Sequence, residues 1–341
     1  MTAVQDANAT GGSSNGKEPI HVALAANHRY MPGLLVTMVG MIRFCGQKER
    51  LRFHILSEGL TEEDKRRVSE FAAEYGAPPP EFFEPDMASI RNRFVAYKNS
   101  HAAFIRLFLC EIYPFDWIIY SDVDTLWTRD PAELWELRDD SASIMWCRDL
   151  PSIAAGAREY SVWNPDFDES AYACSGVMLM NLKRLRETGF VAKAAAFVDK
   201  WGSPTFPDQD ILNYVCRTDA KLLPQHWDCM MPARDAVRGA VLHFNGIGGM
   251  FGSSFSGWRP LYYIWFRFYF DFILKEPRRK ACGVFKCAAF WLLGSFYPPV
   301  RTIRFLFRRR PHLADNIARQ MFFAWLWRRA QWKWRGRRSG P

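Results

Sequence analysis

The segment Asp116–Thr125 reads Asp-Trp-Ile-Ile-Tyr-Ser-Asp-Val-Asp-Thr. Trp117, Ile118, Ile119 and Tyr120 form an unbroken apolar run, without the alternation of a strand that has one wet face. Such a run predicts a strand buried on both sides, hence a sheet covered on both faces. It spills Asp122 and Asp124 at its carboxyl end, where open α/β sheets place their ligands. Two carboxylates one residue apart can hold a divalent ion that one alone would hold weakly. Oxygen ligands favour Mg²⁺ or Mn²⁺, and a half-filled shell leaves positions for phosphate oxygens. Asp-x-Asp also arises by chance, with one carboxylate capping a turn.

The flanking segments fit the same architecture. His21–Ala26 and Leu51–Ser57 predict strands, with Glu81–Glu84 a third. Pro32 sits near the first turn of a helix that runs to about Phe44, where proline is tolerated. Thr61 with Glu63 and Asp64 begins a helix to about Tyr75, its acids in the first turn. Ser100–Ile112 predicts a helix before the acid-ended strand. Ala142–Cys147 and Gly176–Leu182 predict later strands, Asp208–Cys216 a helix and Ala240–Phe244 a late strand. Strands alternating with helices predict an α/β fold with a mostly parallel sheet. No internal repeat is visible.

Charge is divided unevenly along the 341 residues. The net charge of +9 conceals a basic tail: Lys275–Pro341 holds 17 Lys and Arg against 2 acids, whereas residues 1–274 carry a net of −6. The attraction to anions therefore lives in the last fifth of the chain. Eight scattered cysteines include no Cys-x-x-Cys, and Cys110 and Cys147 lie in apolar runs. This suggests neither a zinc ribbon nor a disulfide framework and favours a reducing compartment. Residues 1–18 are small and polar, expected as a disordered lead-in without a signal peptide's apolar centre.

Six blocks in order resemble the retaining glycosyltransferases of family 8, and within them the bacterial lipopolysaccharide α-galactosyl- and α-glucosyltransferases. They are the Ala25-Ala26-Asn27 strand exit, FHILSEGL at 53–60, IIYSDVDTLW at 118–127, CSGVMLMNL at 174–182, DQDILN at 208–213 and HFNG at 243–246, joined by Arg106. The resemblance covers about residues 20–255. It implies a single GT-A domain, Rossmann-like with a mostly parallel sheet, over residues 19–257, and a UDP-sugar donor used with Mn²⁺ (or Mg²⁺).

By that resemblance Asp122, Asp124 and His243 are metal ligands, the imidazole favouring Mn²⁺ over Mg²⁺. A histidine between Leu242 and Phe244 is otherwise an ordinary core residue. Ala25, Asn27 and Tyr30 match positions that contact the uridine, although the Tyr30 ring could equally pack on its own helix. Val123, Ser175, Gly176 and Gly246 match further donor-binding positions. Arg106 is implied to contact the donor phosphate or sugar. Set among apolar neighbours, it needs a partner, and an ion pair with Asp122 or Asp149 is the alternative.

Asp208, Gln209 and Asp149 are implied at the donor sugar, with Gln209 beneath the anomeric carbon; Asp208 is otherwise a helix cap. An amide is a poor nucleophile, which favours front-face attack over the two-carboxylate route of retaining glycosidases. Two positions depart from the family pattern. Cys174-Ser175 stands where Asn-Ala is usual, leaving the sugar open. Gly249 stands where a lysine follows the metal histidine, so that Arg259 or loop amides must replace it.

Residues 258–341 combine Trp258, Trp265, Trp291, Trp325, Trp327, Trp332 and Trp334 with many Phe and Arg. The apolar stretch Cys287–Val300 is shorter than the roughly 20 residues of a membrane span. From Leu313, Ile317, Met321 and Trp325 recur at helical spacing, with Arg319, Arg328, Arg329, Lys333 and Arg335 on the cationic side. A basic, aromatic, mainly helical extension of this kind predicts association with an anionic membrane surface. Packing on the catalytic domain and nucleic-acid binding are the competitors, and no nucleic acid is expected.

The sequence thus predicts a retaining, Mn²⁺-dependent hexosyltransferase, peripheral on the inner face of the cytoplasmic membrane. It would move galactose or glucose from a UDP-hexose to a lipopolysaccharide-core or lipid-linked saccharide. The acid pair also suits a metal-dependent nucleotidyltransferase or phosphohydrolase. The departures suit a catalytically idle, membrane-bound sugar-binding protein.

Overall fold

The computed structural model describes residues 17–94, 101–150, 169–202, 204, 206–230, 239–244 and 272–273. The chain divides into two compact units, Met1–His243 and Phe244–Pro341. The expected boundary at 257–258 and all of the basic extension but residues 272–273 lie outside the described residues, as does most of the polar lead-in. No helix among the described residues is long and apolar enough to cross a membrane.

The strands of the first unit follow the apolar runs. They are β1 (Ile20–Ala26), β2 (Leu51–Ser57), β3 (Glu81–Phe83), β4 (Trp117–Ser121), β5 (Thr125–Trp127), β6 (Ile144–Arg148), β7 (Ala173–Asn181), β8 (Lys221–Leu222) and β9 (Val241–His243). Seven of them form one sheet in the order β3-β2-β1-β4-β7-β6-β8. β3, β2, β1 and β4 run parallel, β7 runs antiparallel to both β4 and β6, and β8 returns parallel to β6. β4 and β7 are buried along their whole lengths, as the continuous apolar pattern of each requires.

The strand expected from Gly176 begins at Ala173, because Ala173 pairs with Arg148 and both Ala173 and Cys174 are buried with the rest, and it ends at Asn181. Asn181 caps the next helix by accepting from the amide of Arg184, so Leu182 belongs to that helix. The late strand expected over Ala240–Phe244 is β9, and it pairs with β5 in a separate two-stranded sheet; β5 itself, three residues long, is too short to carry a period in the sequence.

The helices are α1 (Met31–Phe44), α2 (Glu62–Glu74), α3 (Met87–Arg93), α4 (Ala102–Ile105), α5 (Leu109–Ile112), α6 (Pro131–Trp135), α7 (Leu182–Glu187), α8 (Phe190–Trp201) and α9 (Pro207–Cys216). Pro32 occupies the first turn of α1, and Thr61 with Asp64 forms a reciprocal capping box on α2. The helix expected over Ser100–Ile112 is broken, for a 3₁₀ turn at Arg106–Phe108 separates α4 from α5. α1 lies against the turn after β4. A β-carbon on Gly33 would stand 2.3 Å from the Val123 carbonyl oxygen, so only glycine permits this approach.

Candidate active site

The turn between β4 and β5 is fixed by its own small hydroxyls. Thr125 Oγ1 donates to the Asp122 carbonyl at 2.9 Å, Ser121 and Thr125 hydroxyls meet at 2.9 Å, and Trp127 Nε1 donates to Ser121 Oγ at 3.2 Å. Thr37 on α1 donates to the Thr125 carbonyl at 2.8 Å. The Asp122 amide donates across to the Gly176 carbonyl of β7 at 2.7 Å. With the backbone satisfied in this way, neither Asp122 nor Asp124 serves as a cap, and both carboxylates are released at the sheet's edge.

β9 brings the histidine to them. Its register sets His243 opposite Thr125, next to Asp124 in the chain. His243 Nε2 lies 3.3 Å from Asp124 Oδ1 and 3.9 Å from Asp122 Oδ2. The ring packs closely against β7: a β-carbon on Gly176 would stand 2.1 Å from its Cε1. On the far side, Nδ1 faces Asp228 Oδ1 at 2.9 Å. Burial alone would lower the imidazole's pKa, but Asp228 and Asp124 outweigh it and hold the ring well above its ordinary value. His243 is buried, as a core histidine would be, yet both its nitrogens face carboxylates.

Two carboxylate oxygens and an imidazole nitrogen, all within 4.8 Å of one another, suit a divalent cation. Asp124 Oδ1 is a buried oxygen without a hydrogen bond, which such an ion would satisfy. Burial also drives the Asp122 carboxyl upward in pKa, opposed chiefly by Arg106, and a bound cation would oppose it further.

Arg106, placed by the 3₁₀ turn, joins this cluster to a second one. Its Nη2 donates to Asp122 Oδ1 at 2.7 Å, its Nη1 to the Ser175 carbonyl at 2.7 Å, and its Nε stands 3.3 Å from Asp208 Oδ2. Of the two ion pairs expected as alternatives, the one with Asp122 forms. Asp208, not Asp149, supplies the other carboxylate. Tyr120, which sequence reasoning passed over as a core residue, donates its hydroxyl to Asp122 Oδ1 at 3.0 Å, and the guanidinium lies 4.3 Å over its ring. Burial keeps that phenol far above its usual pKa, hence a donor.

Pro207 starts α9 and turns the Asp208-Gln209-Asp210 triplet toward β7. Asp208 does not cap the helix; Phe206 occupies that position without a side-chain cap. Asp208 accepts from Ser175 Oγ at 2.9 Å. Asp210 is the structural acid of the three, accepting from the Phe206 amide at 2.9 Å and from Tyr172 at 2.5 Å. Gln209 is clamped at both ends, its Oε1 accepting from the Ser175 amide at 3.1 Å and its Nε2 donating to Asp149 Oδ2 at 2.7 Å. Asp149 is nearly inaccessible, and burial raises its carboxyl despite bonds from the Leu150 amide and Gln209.

The candidate uridine positions lie at the exit of β1. Ala25 is buried opposite Leu56, and Val123 is buried beneath α1. Asn27 caps a 3₁₀ turn at His28–Tyr30 and donates to Glu58 Oε2 at 3.1 Å; Tyr30 stands half-buried before α1. The structure therefore gathers Asp122, Asp124, His243, Arg106, Ser175, Gly176, Asp208, Gln209 and Asp149 into one connected network. Gly246, Gly249 and Arg259 lie outside the described residues. Sequence reasoning also passed over Asp228, whose only local signal is a lone acid between aromatic and sulfur-bearing neighbours.

Comparison with known proteins bears on the family and the fold. The family model described as Glycosyl transferase family 8 matches residues 21–248. A protein of Haemophilus influenzae named as a glycosyltransferase is 25% identical over 226 residues, covering 65% of this chain and 66% of its own length. The lipopolysaccharide 1,2-glucosyltransferase of Escherichia coli is 24% identical over 226 residues, covering 63% of each chain. The chain thus spans somewhat less than two thirds of these curated relatives. Among solved structures, the galactosyltransferase LgtC in complex with donor and acceptor sugar analogs superposes with a TM-score of 0.62 at 19% identity, over 74% of this chain and 96% of that one. The glycosyltransferase GlyE of Streptococcus pneumoniae gives 0.56 at 17% identity, over 74% and 60%. At such identities the likeness is one of fold, the GT-A type.

Proposed function

The chain belongs to glycosyl transferase family 8, and from that premise we propose that it is a retaining, divalent-metal-dependent hexosyltransferase. The donor is a UDP-hexose, galactose or glucose, and the acceptor a lipopolysaccharide-core or lipid-linked saccharide. The observation that carries this reading is the meeting of Asp122, Asp124 and His243 at one edge of the sheet. Arg106 links them to the Asp208–Gln209–Asp149 group.

Asp122, Asp124 and His243 would hold the cation, Mn²⁺ in preference to Mg²⁺, which when bound neutralises charge on the leaving diphosphate. Arg106 supports the same charge and keeps Asp122 ionised and aimed. Asp208 and Asp149 accept hydrogen bonds from donor-sugar hydroxyls. Gln209, clamped at both ends, presents an amide to the anomeric carbon's rear face, where it can steady positive charge but is a poor nucleophile. The bond from the anomeric carbon to the diphosphate oxygen breaks as the acceptor hydroxyl attacks on the same face. The acceptor's proton passes to the departing phosphate, and configuration is retained.

Residues 19–257 form the catalytic domain in this reading. The extension 258–341 holds the enzyme on the anionic inner face of the cytoplasmic membrane, as its 19 cations among aromatics suggest. The test is product analysis with a panel of nucleotide sugars, with Mn²⁺ and with chelator. Metal-dependent release of UDP is the expected result. Release of pyrophosphate or free phosphate would favour a nucleotidyltransferase or phosphohydrolase, and no turnover with or without acceptor would favour an idle sugar-binding protein. Flotation with anionic vesicles against oligonucleotide binding at matched salt tests the extension; failure to bind the vesicles refutes that part.

A further inference from the structure

Asp228 is the most deeply buried acid beside the site, with none of its surface exposed, and no step above uses it. A buried carboxylate is expensive to maintain, so its position calls for a reason. It is held in place by its backbone. The Asp228 amide donates to Gln225, the Gln225 side chain donates back to the Asp228 carbonyl at 2.8 Å, and the following residue pairs with β9 through Cys229 N to Val241 O at 2.8 Å and His243 N to Cys229 O at 3.1 Å. The segment carrying Asp228 is therefore stitched to the strand carrying His243.

The result is one short contact, Asp228 Oδ1 to His243 Nδ1 at 2.9 Å, with Asp228 Oδ2 left without a hydrogen-bond partner. Cys174 Sγ lies 3.8 Å from the same nitrogen, and Gly176 is so close to the ring that a β-carbon there would stand 2.1 Å from Cε1. The imidazole is buried, and its Nε2 looks toward Asp124 and Asp122.

We propose that Asp228 is the positioning residue for His243, its carboxylate taking the Nδ1 hydrogen so that Nε2 is the free donor toward the metal side. This rests on the reading of Asp122, Asp124 and His243 as metal ligands. An ionised carboxylate has no hydrogen to give, so the nitrogen facing it must carry one, and a neutral ring then has its lone pair on Nε2. An amide in the same place could turn its NH₂ toward Nδ1 and stabilise the opposite tautomer. A carboxylate behind the ring also makes Nε2 a stronger base, and losing such a partner typically weakens metal binding about 10- to 100-fold.

The test is Mn²⁺ titration followed by electron paramagnetic resonance on four full-length proteins: wild type, D228N, H243A and the double variant. D228N is expected to weaken Mn²⁺ about 10- to 100-fold, and to add nothing once His243 is gone, because Asp228 acts through that ring. D228N within threefold of wild type, or losses that add in the double variant, overturns the proposal. Wild type that binds no Mn²⁺ overturns the metal-ligand reading itself. Should D228N fail to fold, the ¹⁵N spectrum of histidine-labelled wild type with Cd²⁺ as a diamagnetic stand-in decides. Hydrogen on Nδ1 and none on Nε2 supports the assignment, and hydrogen on Nε2 refutes it.

Discussion

Gly176→Ala adds one methyl group to the middle of β7, and the structure says where it goes. The new β-carbon would lie 2.1 Å from His243 Cε1, 2.6 Å from Nδ1 and 3.0 Å from Nε2. Ordinary contact begins near 3.4 Å, so ring and strand must part by about 1.3 Å. β7 cannot yield easily, being paired with β4 on one side and β6 on the other. The displacement therefore falls on the imidazole, and Nε2 leaves its place beside Asp124. A misplacement of about 1 Å in a catalytic group costs on the order of 100-fold in rate, near 2.7 kcal/mol of barrier. The assay is metal-dependent UDP release with saturating donor, paired with Mn²⁺ titration and a thermal melt. A well-folded variant with activity and Mn²⁺ affinity each within threefold of wild type would refute the packing argument and the ligand role of His243 together.

Three further outcomes follow from the same coordinates. Gln209→Ala should slow transfer by roughly 100-fold through lost positioning, without abolishing it; complete loss with donor binding intact would point to Gln209 as the nucleophile. Arg106→Met leaves Asp122 and Asp208 facing each other without a cation, at a cost of about 3 kcal/mol. Mn²⁺ should restore part of this in urea unfolding, and a stability unchanged from wild type would count against the network. His21, stacked on Phe115 and joined to His54 at 2.9 Å, is held neutral to about pH 3, first by burial and then by His54. Its folded pKa lies below its unfolded one, so its contribution is complete above pH 6.5 and is lost as the solution acidifies. Between pH 7 and pH 5.5 the loss should be about 1 kcal/mol. His21→Phe should flatten that slope in urea unfolding, and an unchanged slope would refute the assignment.

Much of the site was legible because its residues carry chemistry that apolar neighbours make conspicuous. Asp122 and Asp124 ending a buried run, Arg106 between Ile105 and Leu107, and the acid-amide-acid triplet after Pro207 each announce a polar group where burial would otherwise forbid one. Single residues could not announce their partners. Whether Asp208 caps a helix or faces an arginine depends on the turn of α9 relative to β7, which no local pattern encodes. Tyr120 read as core because its ring is core; only its hydroxyl takes part.

The sequence by itself determined strands β1 to β4, β6, β7 and β9, helices α1, α2 and α9, and the sheet edge where the acids emerge, because burial leaves a period, or its absence, along such segments. Tertiary structure alone decided that three-residue β9 pairs with β5, which brings His243 to acids far away in the chain, and that Gly176 and Asp228 enclose its ring. Those contacts arise from distant backbone segments packing together, and the atoms that make them leave no repeat along the chain from which to infer them.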